Sequence, residues 1–203
     1  MGISKKPALF AVSFDINQNS QNLIWRVTSA DHRDALRTRG RSAGLLKLHE
    51  NEILNFTITG GCFQTYFFDG QPHQLKSFDF RILQAGLIST PKGPYKDNDG
   101  DIISQNPSML ANSNSILLLD TNEQEWQTSY NWQDDDGGIY LEVEKSYLQQ
   151  LQITDKVGFW ELSFVLNVEI TRTALINGQV HTFSEVRSFA FDPESEVGNG
   201  THR

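Results

Sequence analysis

Residues 158–170 read GFWELSFVLNVEI. Alternate positions are apolar: Trp160, Leu162, Phe164, Leu166, Val168 and Ile170 fall on one face, with Glu161, Ser163, Asn167 and Glu169 opposite. Successive side chains of an extended chain point to opposite sides, so a period of two held this long means a strand buried on one face and wet on the other. Such strands belong to antiparallel sheets packed on one side only.

The same alternation recurs outward from this stretch. ALFAVSFDI (8–16) places Phe10, Val12, Phe14 and Ile16 together; NLIWRVTS (22–29) does the same for Leu23, Trp25 and Val27. EILNFTIT (52–59) aligns Leu54, Phe56 and Ile58, and KSFDFRILQ (76–84) aligns Phe78, Phe80 and Ile82. Further strands are expected at GLLKLHE, TYFFD, SILLLD, WQTSYNW, IYLEVE and EVRSFAF. Turn pairs punctuate them at Asp69-Gly70, Asp99-Gly100, Asp136-Gly137 and Asn177-Gly178. Helix is scarce: DHRDALRTRG (31–40) suits about two turns closed by Gly40, and SYLQQL (146–151) one. Many short strands, regular turns and one or two short helices predict a single all-β domain over residues 1–203, an antiparallel two-sheet β-sandwich.

Composition agrees and narrows the function. A chain of 203 residues, 38% hydrophobic and 11% aromatic, can bury one full core. Its net charge of -8 repels phosphate backbones, which argues against a nucleic-acid partner. The local exception is DHRDALRTRGR (31–41), where Arg33 and Arg37 would share a helical face. That pair is a candidate anion site, or else the basic end of a helix complementing its dipole. A lone cysteine, Cys62, rules out an intramolecular disulfide. The opening MGISKKPALFAVSF carries no secretory signal pattern and no apolar run reaches membrane-spanning length. The expectation is a reduced, cytoplasmic, soluble protein without a membrane partner.

Two segments resemble known families. LQITDKVGFWELSFVLNV (151–168) is similar to an immunoglobulin-type E-to-F corner through Leu151, Ile153, Asp155, Gly158, Trp160 and Leu162. The family has Tyr and Cys where Trp160 and Leu162 stand, and one residue fewer between Asp and Gly. The resemblance implies an immunoglobulin-like topology and no function. The closing RSFAFDPESEVGNG resembles the end of the DP-EP family of small bacterial β-sandwich proteins, and more distantly the F-x-W-D-P close of inclusion-body proteins. Phe191, Asp192 and Pro193 carry that likeness.

Chemistry is sparse. YKDNDGDIIS (95–104) and QDDDGGIYLEVEK (133–145) look like calcium loops. Placing Gly100 or Gly137 at the sixth position leaves Tyr95 or Trp132 first and Asn106 or Val143 last, so both anchoring carboxylates are lost. Hairpin turns are expected instead, and no metal or cofactor. The five histidines lack ligand spacing, and HENE (49–52) reads as a turn between strands. Cys62 reads as a packing residue, not a nucleophile.

Two features suggest a binder. Trp126, Tyr130 and Trp132 are evenly spaced in one strand: inward they are core, outward a carbohydrate platform. The inward reading is taken, in which Trp132→Ala would harm folding more than binding. The second feature is a hairpin turning at Asn177-Gly178, which sets Ile176 opposite Gln179, Leu166 opposite Phe189 and Phe164 opposite Phe191. Val168 would then face Arg187 and Ile170 face Glu185, so a bulge is expected between them. The 19 residues from Gly158 to Ile176 span roughly 60 Å extended, which predicts a projecting tip. Its Ala174, Leu175 and Ile176 would be covered by a second protomer, giving a homodimer, or by the chain itself. The function expected is a non-enzymatic β-sandwich acting through a protein partner or self-association. The alternative is a carbohydrate-binding module.

Overall fold

A computed structural model describes residues 7–28, 51–68, 71–91, 95–96, 99–103, 106–135, 138–155 and 160–191. The strands in chain order are β1 (Ala8–Asp15), β2 (Ile24–Thr28), β3 (Ile53–Phe63), β4 (Thr65–Phe68) and β5 (Gln71–Pro91). Short β6 (Tyr95–Lys96), β7 (Ile102–Ile103) and β8 (Ile116–Leu118) follow, then a single 3-10 turn at Glu123–Glu125. The last five are β9 (Trp126–Asp135), β10 (Gly138–Tyr147), β11 (Leu151–Gln152), β12 (Trp160–Ile176) and β13 (Gln179–Phe191).

All but β6 and β7, which pair with each other, form two sheets packed face to face. The first has the order β2-β1-β3-β10-β9, with β11 also on β3; the second has β13-β12-β5-β4, with β8 also on β5. The inward rows are those that alternation marks. Phe10, Val12, Phe14, Leu54, Phe56 and Ile58 from one sheet meet Phe78, Phe80, Phe164, Leu166, Val168 and Ile170 from the other, all buried. Aromatic rings stack through the middle: Phe10 on Phe56 at 5.2 Å and Phe14 on Phe189 at 4.6 Å between centroids. The all-β sandwich is therefore present, and no helix of the described residues is long and apolar enough to cross a membrane.

Four local expectations change. The sheets are mostly, not wholly, antiparallel: β1 and β3 run parallel, Phe10 beside Phe56 and Val12 beside Ile58. SYLQQL is not helical, because Ser146 and Tyr147 continue β10, with Tyr147 held in the core. The β12–β13 ladder runs from Phe164–Phe191 to Ile176–Gln179 without a bulge. Both charged residues on its inner row have partners: Arg187 donates to the carbonyls of Ile16 (2.8 Å) and Gln18 (2.6 Å), and Glu185 pairs with Arg172 at 3.2 Å. The register shifts fall instead between β12 and β5, where Lys76 and Leu83 are the extra residues.

The fourth change concerns the hairpin tip. Asn177 (φ 51°) and Gly178 (φ 78°) make the two-residue turn that the sequence calls for. Ala174 is fully buried within its own chain, while Leu175 and Ile176 are half-buried, Ile176 packing on the core. Here β5 runs on past its second bulge to pair Leu75 with Ala174, so the arm is backed along its length. The apolar tip needs no second protomer, and an interface at Ala174, Leu175 and Ile176 loses its reason.

Candidate functional site

Strand β9 passes from core to surface along one face. Its partner row on β10 is Tyr147, Lys145, Val143 and Leu141, opposite Trp126, Thr128, Tyr130 and Trp132. Trp126 is buried, edge-on to Phe56, and its indole N–H donates to the Asp120 carbonyl at 2.7 Å. Tyr130 and Trp132, two and three steps further along that face, are 61% and 55% exposed. The cause lies in the facing sheet. Strand β4 covers the β5 edge at Gln71–Gln74 and β8 covers it at Gly86–Ile88, and among the described residues no strand covers it between. The far half of the β9 row therefore has little opposite it. The aromatic set splits: Trp126 is core, and Tyr130 with Trp132 form a surface pair, contrary to the inward reading of all three.

Tyr130 is fixed rather than loose. Its hydroxyl donates to Asp79 Oδ2 at 3.1 Å, which reaches across from β5. Partial burial, then the Asp79 charge, push the phenol above its ordinary value. Asp79 Oδ1 accepts from the Phe80 backbone N–H at 2.7 Å, and Lys145 Nζ lies 3.6 Å from that oxygen. Lys145 is itself buried, donating to Thr128 Oγ1 at 3.2 Å, with Nζ 5.3 Å from the Phe80 ring centre. A buried ammonium needs such partners, because unpaired burial would cost several kcal/mol.

On the outer face of the same two strands the polar groups converge. Gln133 Nε2 donates to Glu142 Oε2 at 2.8 Å, and Asn131 Nδ2 lies 3.5 Å from that oxygen. A groove of about 460 Å³ runs here, lined by Thr59, Ser129, Tyr130, Asn131, Glu142 and Glu144. One strand over, Tyr140 lies across Gly61, where a Cβ would meet its hydroxyl, and donates to Asp15 Oδ2 at 3.0 Å. Gly60, facing inward, is crowded by the Phe78 and Phe14 rings at 2.8 and 2.9 Å from its would-be Cβ. The Gly-Gly pair thus makes room for aromatic rings on both faces of β3.

The remaining sequence candidates resolve as follows. Arg33 and Arg37 lie outside the described residues, as do His49 and Glu50. Both acidic stretches lie in hairpins: β6 pairs with β7 around Gly100 (φ 88°), and the β9–β10 ladder closes on Asp135 and Gly138. Cys62 is buried in the core, and burial pushes its thiol from an ordinary 9.0 up to about 12. A thiolate nucleophile is correspondingly disfavoured.

Lys145 and Asp79 are the residues that strand reading missed. The signal was one lysine interrupting the apolar row Leu141, Val143, Tyr147. Set against known proteins, the chain matches no family model, no curated protein and no solved structure.

Proposed function

We propose that this chain is a non-enzymatic, cytoplasmic binding protein of immunoglobulin-like architecture, and that its ligand is a carbohydrate seated on the β9 edge. The observation that carries the reading is the exposure of Tyr130 and Trp132 on one face of one rigid strand. A sugar ring has an apolar face of C–H groups and a rim of hydroxyls. Aromatic faces take the first; on the same side of β9 the Asp79 carboxylate beside Tyr130 can take the second, while Asn131, Gln133 and Glu142 stand on the opposite face of the strand. Two residues apart on a strand, their Cα atoms sit about 6.6 Å from each other, so both rings can meet one glycan. The Asp79 bond holds Tyr130 in place before any ligand arrives, which lowers the entropy lost on binding.

Charge selects among sugars. Asp79, Glu142 and Glu144 flank the edge and the chain is acidic, so neutral or amino sugars fit and sulfated or uronic ones are repelled. Support for a non-enzymatic role comes from Cys62, the strongest nucleophile in the sequence, held protonated in the core. A glycan array followed by calorimetry tests the reading. Binding to neutral or amino sugars is expected, and Trp132→Ala should weaken it tenfold or more while the circular dichroism stays unchanged. An array without hits, or binding that Trp132→Ala leaves intact, would end it.

A further inference from the structure

The outer edge of β13 presents main-chain groups that no described residue fills. In an antiparallel ladder, residues alternate between bonding one neighbour and bonding the other. Ala190 donates to the Gln21 carbonyl (2.8 Å) and accepts from the Leu23 N–H (2.9 Å), so its polar groups face away from β12. By that alternation Val180, Thr182, Ser184, Val186 and Ser188 also face outward. Their side chains lie on the wet face of the sheet, and Val180 and Val186 are 65% and 64% exposed. Natural sheets guard such edges with lysine, proline, a bulge, a short strand or inward-pointing charges, and the two inward charges here, Glu185 and Arg187, already have partners within the chain. From Val180 to Ser188 this edge has no lysine, no proline and no register shift against β12.

We infer that a second copy of the chain fills this edge, β13 pairing antiparallel with β13 about a two-fold axis at Ser184. This register sets Ser184 opposite itself, Thr182 opposite Val186 and Val180 opposite Ser188. All five outward residues then bond, and the two four-strand ladders join into one sheet. Charge selects this register over its neighbour. On the inner face Glu185 falls opposite Phe183, and Arg187 opposite His181. A shift that centres the axis on Glu185 would place two carboxylates face to face at the closest pair distance. The outward row itself is uncharged, so a chain of net charge -8 meets its copy along a neutral strip. The interface is thereby the flank of the hairpin, not its tip.

Sedimentation velocity on the full chain at micromolar concentration tests this, with a dimer expected. Ser184→Pro is the decisive variant. It removes an N–H that only a partner uses and sets a ring on the edge, so the mass should halve while the melting temperature of the monomer is kept. Should that variant misfold, Val186→Lys offers the same test by charge alone. Ser184→Cys should give a covalent dimer on oxidation, because residues paired across the axis lie about 5.5 Å apart at Cα; buried Cys62 does not compete. A monomeric wild type overturns the inference. A folded Ser184→Pro or Val186→Lys that remains a dimer also overturns it, as does a dimer whose Ser184→Cys form does not cross-link.

Discussion

Among the described residues, two open stretches of strand edge in the second sheet, one on β5 and one on β13, are built differently. The stretch of β5 between its contacts with β4 and β8 is open, yet Asp79 occupies the Phe80 N–H there, buried Lys145 stands behind it, and Tyr130 lies across the gap. The β13 edge has none of this. Its charged residues all turn inward, Arg187 to the carbonyls of Ile16 and Gln18, Glu185 to Arg172. An uncovered edge is available only where its donors are unoccupied. Counting strands does not reveal which edge can pair; tracing each N–H does.

Three substitutions sharpen or break that contrast. The largest effect is expected from Glu185→Pro measured against Glu185→Ala. Glu185 bonds β12, so the proline removes a ladder bond inside the monomer and should cost about 2–3 kcal/mol in urea unfolding, whereas Ser184→Pro one residue away should cost the monomer far less. Equal losses at the two positions would mean that the alternation is misassigned.

Next comes Asp79→Ala, which strips acceptors from Phe80 N–H, Tyr130 and Lys145. Half-exposure of the Asp79 side chain tempers the ion-pair share, so about 1–2 kcal/mol is expected. The same change unguards β5 and should introduce concentration-dependent association even in the Ser184→Pro background. If association is absent there, Asp79 is not a guard. The smallest effect belongs to Tyr130→Phe. Losing one exposed hydrogen bond should shift stability by less than about 1 kcal/mol, but the freed ring should weaken sugar binding several-fold in calorimetry.

Much of this fold was legible because burial and alternation coincide. Phe10 to Ile16, Leu54 to Ile58 and Phe164 to Ile170 read correctly since each strand has one wet face. The hairpin register followed from Asn177-Gly178 because a two-residue turn leaves no slack. What failed was whatever depends on the facing sheet. The row from Trp126 to Trp132 has a single periodicity, and whether it is core or surface was decided by where β4 and β8 stop on β5. The parallel β1–β3 pair depends on a connection through residues 29–52, whose path alternation does not specify. Arg187 and Glu185 looked like misfits in the ladder because their partners, Ile16, Gln18 and Arg172, lie in other strands. The Lys145–Asp79 pair joins two sheets, so neither residue carries a local sign of the other.

The ladder between β5 and β12 also has a meaning in time. Arg81 meets Glu169 across 88 residues of sequence, whereas the β12–β13 hairpin closes through a turn of two. Hairpins form within about 1–10 μs, while non-local pairings must first close a long loop and set all-β folding on a scale of milliseconds to seconds. On a ribosome β5 emerges long before the strand that completes it. During that interval the 21 residues of β5 lack their main ladder partner, and their main-chain groups are open to pairing with a neighbouring nascent chain.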